Sequence, residues 1–171
     1  MRAVLFAAML CLVASPAAAA EQVFVNITSI PGESTQVGHA NWIDAFALSH
    51  DMTRPGGGSP NFSEVSVLKA TDRATPALHL AGALSTNLGL VTIQVCGTAA
   101  GLPSRCYYKI ELSNTRVQSV SVAESACSGD GCTPAQTESV SFSFTRIKWY
   151  YTDPAGNEGS RCFDLTTFTS C

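Results

Sequence analysis

Only one stretch of this 171-residue chain reads as a helix, and the rest must be arranged to hold it. In Glu64 to Leu84, Val65 and Val67 alternate with Glu64 and Ser66, the period of a half-buried strand. Thr75 and Pro76 then mark a helix start. The threonine oxygen can accept from an orphan amide, and a proline at the first helical position loses no donor that the helix needs. Ala77, Leu78, Leu80, Ala81 and Leu84 recur at spacings of three and four, which gives about two turns an apolar side. A helix this short is marginal alone in water, because nucleation is costly. A sheet must support it.

The remaining pattern supplies that sheet. Gln22 to Thr28 alternates, with Val23, Val25 and Ile27 on one face. In Asn41 to His50 the side formed by Trp42, Phe46 and Leu48 is apolar, and so are Ile43, Ala45 and Ala47, as in a strand covered on both faces. Gly89 to Cys96 and Cys106 to Leu112 read as a hairpin, Thr115 to Val122 as a further strand, and Arg161 to Thr167 as the last. Glu138 to Tyr151 is the longest strand signal. Its apolar phase slips by one near Thr145-Arg146, which predicts a bulge or a change of packing partner there. Asp51 to Asn61, DMTRPGGGSPN, has no periodicity and reads as a long mobile loop. The expected fold is mainly β, a two-sheet β-barrel or sandwich of about eight strands with one short flanking α-helix.

Residues 1–20 read as an export signal. Arg2 precedes an apolar run, Ala3 to Val13, that is too short to span a bilayer, and Pro16 leads into the small residues Ala17 to Ala20. Cleavage after Ala20 would leave residues 21–171 as one domain with no membrane span. It also removes one of ten basic residues, leaving nine against thirteen acidic, a formal charge of −4. A mildly acidic chain without a basic cluster is a poor nucleic-acid binder. Of seven cysteines, all but Cys11 remain in the mature chain, which is expected to be periplasmic or secreted, where disulfides persist. Cys96 with Cys106, Cys127 with Cys132, and Cys162 with Cys171 form local pairs across turn-like segments, which favours sequential pairing among the fifteen connectivities open to six cysteines. Cys127-SGDG-Cys132 has no histidine pair to complete a zinc site, and no cofactor or metal is expected.

Nor does a catalytic pattern emerge. His39, His50 and His79 are far apart, without a nucleophile, metalloprotease or paired-acid signature. An acid/base site would need two or more of His39, His50, Asp44 and Asp51 to converge in a pocket. Gly56-Gly57-Gly58 lacks the Gly-Lys-Ser/Thr ending of a phosphate loop and does not run into a helix.

Taken in order, the segments resemble Hcp, the haemolysin-coregulated protein family of bacterial type VI secretion systems. The resemblance begins at Ile30-Pro-Gly-Glu-Ser34 and Ile43-Asp-Ala-Phe-Ala-Leu-Ser49. It continues from Val65 through Lys69 and Asp72 into Ala74-Thr-Pro and the short helix. Tyr108-Lys-Ile-Glu-Leu112, Val117 to Val122, and Glu138-Ser-Val-Ser-Phe-Ser-Phe144 to Tyr151 complete it. It implies a barrel of two sheets flanked by one helix, a homo-hexameric ring, stacking of rings into a tube that carries or chaperones effector proteins, and no enzymatic activity. By position, Asp51, Met52, Thr53, Arg54, Pro55, Gly56, Gly57 and Gly58 fall in the family's extended loop, which reaches the neighbouring ring. The export signal and six mature cysteines depart from the family's cytoplasmic tube proteins. The alternative is a monomeric exported binding module that keeps the fold without the ring.

Overall fold

The structure, a computed structural model, describes residues 21–97, 105–124 and 136–171. Within them the order is β1 (Glu21–Ile27), β2 (Ile43–Ser49), β3 (Met52–Thr53), a short 3-10 turn (Pro55–Gly57), β4 (Asn61–Phe62), β5 (Val65–Ala70), α1 (Thr75–Ala83) and β6 (Gly89–Gly97). Then follow β7 (Arg105–Glu124), β8 (Gln136–Ser143), β9 (Arg146–Thr152), β10 (Glu158–Asp164) and β11 (Thr169–Ser170).

A single long strand makes the sheet close. The first half of β7 pairs with β6 on one edge, from Gly97↔Arg105 to Gly89↔Thr115. Its second half, Arg116 to Glu124, pairs with β8. Because the order between those two edges is β6-β1-β2-β5-β8, the six strands form a closed barrel, which removes the free edges an open sheet would expose. Asn114, at φ 51, stands where β7 passes from one set of partners to the other. Against the free edge of its first half lies β9, followed by β10 and β11. The two strands expected at Cys106–Leu112 and Thr115–Val122 are therefore one. Conversely, the long strand expected from Glu138 is two, and the phase slip near Thr145-Arg146 marks the change of partners from β5 and the second half of β7 to β10 and the first half of β7.

Alternation fills the barrel. Val23, Val25 and Ile27 of β1, Val91 and Ile93 of β6, Ile110 and Leu112 of β7, and Val140 and Phe142 of β8 are buried in one cluster. Each such side chain contributes about 1.5–3 kcal/mol by leaving water. α1 packs against β7 through Ala74, Leu78 and Ala81.

Three local expectations are corrected. Phe46 does not share a buried side with Leu48. The register between β2 and β5 shifts between Ala45 and Ala47, so Ile43 and Ala45 face inward, Phe46 is 61 % exposed, and Leu48 regains the core after the extra residue. Thr75 is not the helix cap. Asp72 Oδ1 takes the Ala74 amide instead, 2.9 Å away, while the Thr75 hydroxyl is engaged in a buried polar network. Finally, Leu80 and Leu84 lie outside the core, at 59 % and 67 % exposed, so the helix has a second apolar stripe that no part of the described chain covers.

Asp51 to Asn61 is also more ordered than an unpatterned loop. β3 and β4 pair with each other, Met52↔Phe62 and Thr53↔Asn61, and make a small hairpin. Strands of two residues are too short to leave a periodicity in the sequence. Among the described residues no helix is long and apolar enough to cross a membrane.

Candidate functional site

Where a barrel of this size would ordinarily be apolar, it holds an ion pair. Lys69 follows Val65 and Val67 on the inward face of β5, and Glu138 precedes Val140 and Phe142 on the inward face of β8. The two are direct register partners, both fully buried, and Lys69 Nζ donates to Glu138 Oε1 at 2.5 Å. Lys69 also donates to Asp72 Oδ1 and to the Ala70 carbonyl, each at 2.8 Å, and Thr75 Oγ1 donates to Glu138 Oε1 at 2.9 Å. One charge thus gathers two strands and the first turn of α1. In the sequence Lys69 and Asp72 stand only along the path into the helix; neither their ion pair nor the Glu138 partner, 69 residues away, is read from it.

The hairpin carries the residues singled out for contact between rings. Asp51 through Ser59 are exposed. Gly56 and Gly57 take positive φ values, 59 and 76, which glycine adopts without strain, and Arg54 Nε donates to the Gly58 carbonyl at 2.8 Å, so the tip is closed from within. At the base, the Asp51 amide donates to Ser63 Oγ at 2.7 Å and the Ser63 amide to the Asp51 carbonyl at 2.9 Å. His50 stands directly before this clasp, its ring among Phe62, Phe144 and Trp149 at centroid distances of 6.1, 6.0 and 6.4 Å. Neither ring nitrogen has a partner.

That surrounding disfavours the charged form of the ring. Desolvation pushes the His50 pKa below its ordinary 6.5, and the Asp51 charge opposes this only in part. The unfolded chain then binds the proton that the folded chain refuses. The contribution of neutral His50 is complete above about pH 6.5 and is lost as pH falls from there toward the lowered folded value. We expect His50→Phe to remove this component from a series of urea denaturations between pH 7.5 and 5, while the wild type loses stability over the same range. An equal pH dependence in the two proteins would refute the assignment. Asp164 acts lower on the scale. The Thr166 hydroxyl and Arg146 hold its carboxylate well below the usual range, so its contribution is present above pH 3.8 and fades on stronger acidification.

On the outer side of β1 and β6, the connection from β1 to β2 folds back as a strap. The Gly32 amide donates to the Asn41 carbonyl, Ser34 to Trp42, and Asn41 to Ser34, all within 2.8–2.9 Å. Ile30 reaches the core and Ser34 is buried, which accounts for the Ile-Pro-Gly-Glu-Ser run. The strap lays His39 on Phe24, stacked at 4.0 Å, with Trp42 at 4.9 Å edge-on. His39 Nε2 lies 2.6 Å from Gln94 Oε1, 3.7 Å from Cys106 Sγ and 4.0 Å from Cys96 Sγ. No spacing in the sequence announces this grouping, because its members come from the strap, β6 and β7.

Cys96 and Cys106, register partners on β6 and β7, are joined as a disulfide, and so are Cys162 and Cys171, which ties β10 to the chain end. Cys127 and Cys132 lie outside the described residues. Of the residues an acid/base site would need, His39 and His50 sit in separate surroundings, one beside Gln94 and the other in the aromatic cluster, while Asp44 is exposed on β2. His79 is exposed on α1.

The family profile described as "Type VI secretion system effector, Hcp" matches residues 24–151. Among solved structures, Hcp1 from Salmonella typhimurium superposes with a TM-score of 0.76 at 22% identity, covering 89% of this chain and 99% of that one. A type VI secretion system effector from Yersinia pestis gives 0.67 at 23% identity, with 83% and 98% covered. The secreted protein Hcp3 from Pseudomonas aeruginosa gives 0.62 at 20%, with 84% and 97% covered. At these identities the superpositions establish the fold. No curated protein matches the sequence.

Proposed function

The chain belongs to the Hcp family of type VI secretion proteins, and we propose that it acts by assembly, as a ring-forming subunit exported across the membrane, rather than by catalysis. The observation that carries this reading is the family match over most of the chain in a barrel of the Hcp fold. The uncovered stripe of Ala77, Leu80 and Leu84 on α1 supports it, since side chains three and four apart share one helix face and exposed leucines in a row are suited to burial between subunits. In a hexameric ring each such face meets a different surface of the next copy, the heterologous contact that closes a ring. The hairpin from Asp51 to Asn61 is then placed to meet the adjacent ring, and the hollow of a stack would carry or chaperone effector proteins. Export accounts for the disulfides, which replace part of the stability that assembly would supply.

Leu80→Glu with Leu84→Glu should leave the circular dichroism unchanged and reduce a ring to monomers in sedimentation, whereas shortening Gly56–Gly58 should leave rings intact and weaken their stacking. Rings that survive the two glutamates would mean that α1 is not the subunit contact. Release into the medium, compared between cells with and without an active type VI system, separates ejection as a tube from export by the leader alone. Loss of release without the system supports ejection, and persistence excludes it.

A further inference from the structure

We propose that His39, Cys96 and Cys106 form a redox-gated site for a thiophilic closed-shell cation, Zn²⁺ or Cu⁺, which is closed while the disulfide is intact and opens on its reduction. This inference is independent of ring assembly.

The geometry is close to that of a metal centre. An ion at about 2.0 Å from an imidazole nitrogen and about 2.3 Å from each thiolate holds nitrogen and sulfur about 3.5–3.8 Å apart at tetrahedral to trigonal angles. His39 Nε2 already lies 3.7 Å from Cys106 Sγ and 4.0 Å from Cys96 Sγ. The three ligand atoms all lie within 4.8 Å of one another. Only the two sulfurs must separate, and breaking their bond does that. As direct partners on adjacent antiparallel strands, Cys96 and Cys106 can part by side-chain rotation while the backbone register holds.

The surroundings select the ion. His39 is buried, its ring clamped by Phe24 and Trp42, and Cys96 is only 1 % exposed, so the imidazole is oriented before any metal arrives. Two thiolates and an imidazole favour Cu⁺ or Zn²⁺ over oxygen-seeking cations. Cu⁺ is complete with three ligands, whereas Zn²⁺ needs a fourth, which Gln94 Oε1, 2.6 Å from His39 Nε2, or a water can supply. Cys106 is partly exposed and is the sulfur a reductant reaches first.

The chemistry balances with a dithiol as reductant. One of its thiolates attacks Cys106 Sγ, the Cys96–Cys106 bond breaks, and the second thiolate resolves the mixed disulfide. Two electrons and two protons pass to the protein, and the dithiol leaves as its own disulfide. Metal binding then displaces the two thiol protons, and the imidazole proton, donated by Nε2 to Gln94 Oε1 while the site is closed, moves to Nδ1 so that Nε2 can ligate.

The test titrates purified protein anaerobically with Zn²⁺ and, separately, with Cu⁺, each against a chromophoric chelator. Oxidised protein, reduced protein and reduced Cys96→Ser/Cys106→Ser are compared, with circular dichroism checking each fold. Reduced wild type should bind one ion per chain more than the double variant, and the oxidised protein should lack that ion. Losing a residue that merely orients a ligand costs about 10- to 100-fold in affinity, so His39→Gln should weaken this ion by no less than about 100-fold. Cobalt(II) loaded into the site should show a thiolate-to-metal charge-transfer band that is absent from the double variant, and Trp42 emission should change with occupancy because the indole abuts His39. Equal binding by reduced wild type and the double variant, or an affinity unaffected by His39→Gln, would overturn the proposal.

Discussion

Lys69→Met should lower the unfolding free energy by about 3–5 kcal/mol, because it leaves a buried carboxylate without its counter-charge. Native domains hold only about 5–15 kcal/mol in total, so a single such change removes a large share. Glu138 is fully buried, its Oε1 accepts from Lys69 and Thr75, and its Oε2 has no partner. Methionine keeps the bulk of the lysine stem and deletes the ammonium group together with its hydrogen bonds to Glu138, Asp72 and the Ala70 carbonyl. The effect therefore reports on electrostatics rather than on a cavity. Lys69→Met combined with Glu138→Leu should recover most of the loss, since two apolar side chains of similar volume suit a barrel interior at least as well as an ion pair. Urea denaturation of the four proteins gives the coupling energy. A single variant within about 1 kcal/mol of wild type would show that the pair is not what joins β5, β8 and α1.

Gly32→Ala should cost about 3 kcal/mol or more, although it adds one methyl group to a loop. A Cβ at that position would stand 2.2 Å from the Trp42 carbonyl oxygen and 2.5 Å from the Ile43 backbone, contacts that no side-chain rotation relieves. The backbone must yield, and with it the strap hydrogen bonds to Asn41 and Trp42. Trp42 emission should change at the same time, because the strap positions the indole against His39. A loss below about 1 kcal/mol would mean that the strap has room to move and does not set the entry into β2.

Local physics explains which parts of the fold were legible. The alternation of Val23, Val25 and Ile27, the short helix after Thr75-Pro76, and the phase slip near Thr145-Arg146 all depend on neighbours within a few residues, and each is found. Closure of the barrel was less accessible. It depends on β7 running through Ser113-Asn114 without a break and pairing with different strands on either side, and a turn-like residue at Asn114 suggests the opposite. The bulge at Phe46 escaped because one added residue leaves apolar side chains on both phases of the strand. Of the candidate site, the hairpin was placed by its glycines and prolines, but not its pairing. The Cys96–Cys106 pair, ten positions apart, was legible. The Lys69–Glu138 pair and the approach of His39 to the two cysteines join residues 57 to 69 positions apart, and such proximity across strands leaves no trace in spacing.

The central claim is assembly, and the mass of the purified, oxidised mature protein in light scattering tests it most directly. The account predicts a species of six chains that persists on dilution through the micromolar range. A single-chain mass at every concentration, with the fold intact, would contradict it and leave a monomeric exported binding module in its place.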